Sequence, residues 1–157
     1  MATSTIFMEF EKKIKQTTFR NDFLKAVLNL KYTASWYNTK ETEVFKKYGL
    51  LTQHFNVLRI VNGAHPNPLS PGKILEVMIE PGRDLTRLVD KMVKMGLLIR
   101  STCPSNRRKV DIHSTQKGMV LSNKIKEEID EFLGTIGVLT NEESKQLNLL
   151  LDKFRND

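Results

Sequence analysis

A single cysteine, Cys103, stands among 157 residues. No disulfide can close within the chain, and a zinc site built on cysteine pairs is excluded. The three histidines, His54, His65 and His113, have no metal-ligand spacing. No apolar run approaches the ~18 residues that a membrane-spanning helix needs. The opening "MATSTIFMEFEKKIKQ" has no basic segment leading into an apolar one, so no signal peptide is expected. There is no glycine-rich phosphate loop, no Ser-His-Asp set and no pair of carboxylates at a catalytic spacing. An enzyme is therefore not expected, nor a metal or other cofactor. The lone cysteine fits a reducing compartment, and a cytoplasmic location is expected.

What is present is an ordinary apolar content, 39%, enough for a core and too high for a disordered chain. The length suits a single domain. Net charge is +7, and its distribution is uneven. Between residues 70 and 109 lie nine cations and four acids, while the remainder holds sixteen and fourteen. A localised basic field points to a polyanionic partner such as nucleic acid, and a merely solvated surface is the plainer reading.

Hydrophobic spacing predicts mostly helices. Phe7, Phe10 and Ile14 start one, interrupted by "QTTFRND", where Asn21 or Asp22 is the candidate cap. Phe23, Leu24, Val27, Leu28, Ala34 and Trp36 predict a second, ending near "YNTK". A short helix over 41–47 follows, stopped by Gly49. Thr52 is the candidate N-cap of the next, with Phe55, Leu58 and Val61 on one side near Val57 and Ile60. "NGAHPNPLSPG" reads as a loop.

Ser70 then caps a helix with Pro71 in first position, where the missing N–H costs nothing. Its apolar residues are Ile74, Leu75, Met78 and Ile79. After "EPGR", a helix over 84–95 aligns Leu85, Leu88, Val89, Met92 and Met95 as one stripe. Arg83, Thr86, Arg87, Asp90, Lys91 and Lys94 occupy the opposite face. Gly96 ends it. "LLIRST" and "KVDIH" read as strands over 98–102 and 109–113 joined by "CPSNRR", with Val110 and Ile112 facing one way and Asp111 and His113 the other. Thr115 opens a long helix to residue 133 through Met119, Leu121, Ile125, Ile129 and Phe132. Thr140 and Glu143 form the capping box of a last helix.

Helix, helix, turn, helix, hairpin is the order of a winged helix-turn-helix. It explains why Arg107, Arg108 and Lys109 stand side by side: cations gathered at the tip of a wing are neutralised by phosphates, and counterion release adds affinity. The predicted fold is mostly α with a small β-hairpin wing, flanked by N- and C-terminal helices.

The stretches "YGLLTQHFNVLRIV", "DLTRLVDKMVKMGLLIR" and "NRRKVDIHSTQKG" resemble the MarR (multiple antibiotic resistance regulator) family. Leu85, Arg87, Met92, Val93, Gly96, Leu97, Leu98, Asn106, Arg107, Arg108, Thr115 and Gly118 fall at the separations of that family's pattern, and the likeness runs from about Phe19 to Phe154. Two positions depart from it. Asn106 stands where the wing usually has an aspartate that orients an arginine. Asp84 stands where a small polar residue is commoner; it suits an N-cap, and Asp84 and Asp90 are candidates to position Arg83, Arg87 or Lys91.

The resemblance implies a homodimeric, sequence-specific DNA-binding transcription regulator, taken as a repressor, that binds a palindromic operator in double-stranded DNA. Residues 50–114 would form the DNA-binding module, and 1–48 and 115–157 the dimerisation helices. Phe7, Phe10, Ile125, Ile129, Phe132, Leu147, Leu150 and Leu151 are the apolar residues expected at the dimer. DNA contacts are expected from Ser70, Lys73, Arg83, Thr86, Arg87, Lys91, Asn106, Arg107 and Arg108. Among the two wing-tip arginines, Arg108 is expected in the minor groove. A small aromatic or lipophilic effector is implied, with Tyr32, Trp36, Tyr37 and Phe55 either lining its crevice or simply core. Cys103, near Arg100 and Arg107, is either a reactive thiol or an ordinary wing residue. The alternative function is a winged-helix module that binds protein and does not read DNA.

Overall fold

The computed structural model describes residues 9–79, 84–103 and 106–155, with backbone alone for 103 and 106–109. The elements are α1 (Phe10–Ile14), α2 (Asp22–Lys46), α3 (Thr52–Ala64), α4 (Pro71–Val77), α5 (Leu85–Lys94), β1 (Leu98–Cys103), β2 (Asn106–Ser114), α6 (Gln116–Ile136) and α7 (Asn141–Arg155). They divide into two compact units, the first running to Gly49 and the second starting at Leu50.

In the first unit, the Asn21 side chain accepts the Leu24 N–H at 2.8 Å and so caps α2. The expected break near "YNTK" does not occur: α2 runs unbroken through it. Residues that favour turns are instead satisfied within the helix. The hydroxyls of Thr39 and Thr42 donate to the carbonyls of Ser35 and Asn38 at 2.9 and 2.6 Å, and Tyr37 donates to Glu41 at 3.0 Å. Propensity is a weak term that a long, internally bonded helix overrides. Gly49 ends the segment at φ 66°, a backbone conformation that suits glycine. Phe10, expected at a dimer surface, is buried. It stacks on Phe19 with centroids 6.0 Å apart and meets the edge of Tyr32 at 5.8 Å. Glu11 pairs with Lys25, whose ammonium also lies over the Phe19 ring.

The second unit is built on α3. Val57, Leu58 and Val61 are buried there, against α4, α5, α6 and β2. The expected cap Thr52 is the first helical residue instead. The N-terminus is closed by His54, whose Nδ1 accepts the Leu51 N–H at 3.0 Å. A side chain at N3 reaching back to the N-cap N–H is half of a capping box, with imidazole in place of glutamate. Ser70 caps α4 as expected, accepting the Lys73 N–H at 3.4 Å. Of the apolar residues expected to pack from this helix, Ile74 and Met78 are buried, while Leu75 and Ile79 are exposed.

β1 and β2 are antiparallel, pairing Leu98 with Ser114, Arg100 with Ile112 and Thr102 with Val110. The segment expected to be only loop contributes to this sheet. Leu69 and Ile112 exchange both backbone hydrogen bonds, at 3.0 and 2.9 Å, and one residue thereby acts as a third strand. The strands are longer than expected. Cys103 pairs with Asn106, and the register breaks between Thr102 and Cys103. Arg107 and Arg108, expected in the turn, therefore join Lys109 in a bulged stretch of β2, which a sequence reading cannot separate from the adjoining turn.

α6 outlasts the expected end and reaches Ile136. Its Ile125, expected to wait for a partner subunit, is fully buried within the chain. Thr140 and Glu143 form the expected box: Glu143 accepts the Thr140 N–H at 2.8 Å and its hydroxyl at 3.0 Å, and the Glu143 N–H donates to the Thr140 hydroxyl at 3.2 Å. Those bonds hold the Glu143 carboxyl below the usual carboxylate range.

Among the described glycines, Gly118 in the first turn of α6 leaves the least room for a side chain. Thr115 caps the helix, accepting the Gly118 N–H at 2.9 Å. A Cβ on the buried Gly118 would land on the Leu97 carbonyl oxygen. Gly118→Ala should therefore invert the normal rule. At an open helical site alanine stabilises by about 0.5–1 kcal/mol; here the intrusion on backbone should cost about 1–3 kcal/mol. Thermal denaturation should show a Tm several degrees lower, and an unchanged or raised Tm would mean the approach is not this close.

Candidate nucleic-acid interface

α5 is two-sided. Leu85, Val89 and Met92 are buried, which completes three of the five residues of the predicted stripe; Leu88 and Met95 are half-buried. The other side exposes Thr86, Arg87, Lys91 and Lys94. An apolar stripe fixes the helix in rotation, so these four are held outward by what lies beneath them.

Two carboxylates stand among these cations, and each has a partner. Asp84 is the N-cap of α5, accepting the Arg87 N–H through Oδ1 at 3.1 Å. Its other oxygen, Oδ2, pairs with Arg87 Nε at 2.8 Å. The second, Asp90, pairs through Oδ1 with Nη1 of Arg100 on β1 at 2.7 Å. Arg100 was not among the partners expected for Asp90. Its pairing follows from the strand register: Arg100 sits opposite Ile112, and directly opposed residues share a face of the sheet. Ile112 is fully buried, so Arg100 starts from the inner face and reaches α5. The ion pair ties the wing to the helix. Sequence alone could have found it only by fixing that register, which alternation in "KVDIH" nearly does.

The other expected site residues divide into three groups. Lys73 is exposed one turn after its cap Ser70, at the start of α4. Asn106, Arg107 and Arg108 lie on the β2 backbone beside the Cys103 pairing. Arg83 and the side chains of Cys103, Asn106, Arg107 and Arg108 lie outside the described residues. Of the aromatics expected around an effector, Trp36 is exposed on α2, and Tyr37 and Phe55 are half-buried on α2 and α3, in different compact units. Burial and the neighbouring Glu41 push the Tyr37 hydroxyl up to about 12.

His54 is a residue whose place the sequence did not reveal. It is buried at 3% exposure. Burial holds its pKa below the ordinary value, and the positive charge of Lys91 on α5 adds to the depression. Among the described residues no group of three or more His, Cys, Asp or Glu is placed to hold a metal ion, and no helix is long and apolar enough to cross a membrane.

No family model matches the chain. Two curated proteins are similar to it. The HTH-type transcriptional regulator PecS of Dickeya dadantii (strain 3937) is 30% identical over 114 residues, covering 71% of this chain and 68% of that protein. The HTH-type transcriptional regulator MhqR of Bacillus subtilis (strain 168) is 32% identical over 111 residues, covering 68% and 73%. Among solved structures, a cysteine-to-serine mutant of MarR from E. coli complexed with operator DNA aligns with a TM-score of 0.72 at 20% identity, over 88% of this chain and 99% of that one.

The buried imidazole makes stability depend on pH in one direction. The unfolded chain takes up a proton on His54 near 6.5, while the folded chain resists it. Stability rises with pH wherever the unfolded state binds more protons. The His54 contribution is thus complete above 6.5 and is lost as pH falls from there towards the depressed folded value. His54→Gln keeps an acceptor able to close the box at N3 but cannot titrate. Its Tm should fall less than that of the unaltered chain between pH 7 and pH 5. Parallel Tm curves would show that His54 does not titrate in the folded state as described.

Proposed function

The chain belongs to the MarR family of winged helix-turn-helix regulators, and from that premise we propose that it acts as a homodimeric repressor on a palindromic operator, released by a small aromatic or lipophilic ligand. DNA-binding regulation is the function of the family. The finer reading is carried by one observation: the exposed Thr86, Arg87, Lys91 and Lys94 lie opposite the buried Leu85, Val89 and Met92 on a single helix. In this reading α5 enters the major groove. Thr86 and Arg87 face base edges, and Lys91 faces phosphate. Ser70, Lys73 and Arg83 add backbone contacts, while Asn106, Arg107 and Arg108 serve the wing. A protein-binding winged module would have no use for such a cationic face.

Two-fold symmetry is supported by apolar surface on the last two helices. Leu133, Leu147, Leu149, Leu150 and Phe154 are all exposed by 40% or more, and α7 has no buried residue. An isologous contact would cover such surface on both copies. The effector is tested by the quenching of Trp36, the only tryptophan, with phenolic acids that also release DNA.

The deciding experiment selects bound sequences from random DNA. A palindrome should emerge, bound by a species of twice 18.1 kDa in light scattering. Arg108→Ala should weaken binding and flatten the slope of log K against log salt by about one unit for each phosphate charge no longer met. Random DNA left unenriched, or a monomer, would sink the proposal.

A further inference from the structure

Asp84 presents a puzzle of sign. A carboxylate on the exposed, cationic side of a DNA-facing helix repels phosphate, and a serine would cap the helix as well. Its second oxygen explains its presence. Oδ1 makes the cap with the Arg87 N–H at 3.1 Å, and Oδ2 takes Arg87 Nε at 2.8 Å. One side chain thus holds both the backbone and the guanidinium of the same residue. The Arg87 side chain is 88% exposed, so little besides Asp84 limits its rotamers. A guanidinium carries five N–H donors in a planar fork, one on Nε and two on each terminal nitrogen. With Nε engaged by Asp84, the two terminal nitrogens remain to present a bidentate edge. That edge matches the O6 and N7 acceptors of guanine in the major groove.

We infer that Asp84 is a positioning residue for Arg87, and that the pair reads one guanine in each half-site. The inference rests on the proposed DNA-reading function and adds the base and the mechanism. Long side chains lose rotamer freedom when they bind. Holding Nε beforehand spends that entropy on folding, so a correct guanine meets a prepared fork. A phosphate, which accepts from any direction, benefits less. Asp84 therefore gives up general affinity and gains discrimination between bases.

Those two effects have opposite signs, and one substitution separates them. Asn is as good an N-cap as Asp, so Asp84→Asn keeps the cap through its one oxygen and loses the second, charged acceptor that takes Arg87 Nε. Asp84→Ser does the same with a different cap and guards against a local effect of the amide. Binding would be measured for a half-site from the selection experiment and for variants changed at every base. Arg87→Ala should lose preference for guanine at one position, by roughly five- to 150-fold. Both Asp84 variants should lose preference at that same position, by about two- to fivefold, the scale of an exposed ion pair. They should also bind unrelated DNA more tightly. Asp84→Asn combined with Arg87→Ala should discriminate no worse than Arg87→Ala alone. If the Asp84 variants bind all sequences more tightly with preferences unchanged, Asp84 is a cap only and the inference fails while the DNA-reading function stands. If the unaltered chain shows no preference for any sequence, both fail.

Discussion

The second unit depends on the seating of the first turn of α6 upon the Gly96–Leu97 turn. Thr115 Oγ1 donates at 2.8 Å to the Gly96 carbonyl and lies 3.1 Å from that of Leu97. The Thr115 N–H also donates to Leu97, at 3.2 Å. Lys117 Nζ donates to the Met95 carbonyl at 2.8 Å. The Met95 carbonyl is one of those left over at the end of α5, where unpaired acceptors and the helix dipole favour a cation. Gly118 has no side chain because Leu97 occupies that space. The same contact ends α5, starts β1 and anchors α6. Gly96 makes the turn possible at φ 71°. A shift at this junction would reach the helix and the wing together.

Around that junction the wing is held from three sides. Leu69 pairs with Ile112 along one edge. Ser114 donates to Asn62 on α3. Asp90 reaches Arg100 from α5. A two-stranded ribbon has little stability of its own, and these ties give the hairpin a fixed base while its far end carries Arg107, Arg108 and Lys109. The arrangement also accounts for acidic residues within a basic surface. Neither Asp84 nor Asp90 is a stray charge: each pairs with an arginine, one on α5 and one on β1. Burial, with the positive charge of Lys91, disfavours a proton on His54 of α3.

Much was legible in the chain itself. Local rules identified Ser70 and the Thr140–Glu143 box as caps, offered Asn21 as one of two candidates, and placed Asp84 and Thr115 at helix starts, because a cap depends on residues three positions away. They also identified the turn glycines Gly49 and Gly96, and the buried stripe of α5, because helical spacing is a short-range signal. The exposed face of α5 followed by subtraction. Short-range reasoning failed where a non-local partner or a long helix prevailed. Turn-forming residues at 37–40 were carried inside α2. Thr52 lost its role to His54. Leu69 was drawn into a sheet by Ile112, far along the chain.

The sequence by itself determined the helix, helix, turn, helix, hairpin order of the second unit, the winged class and the basic character of one segment, since each is a matter of periodicity, caps and charge written along the chain. Only the tertiary structure decided which charges meet. Arg100 found Asp90 through strand register. Phe10 and Ile125 were buried within the chain because packing, unlike periodicity, depends on what lies across the fold. Gly118 is required by the carbonyl of Leu97, on the far side of the whole hairpin, and no local pattern contains that distance.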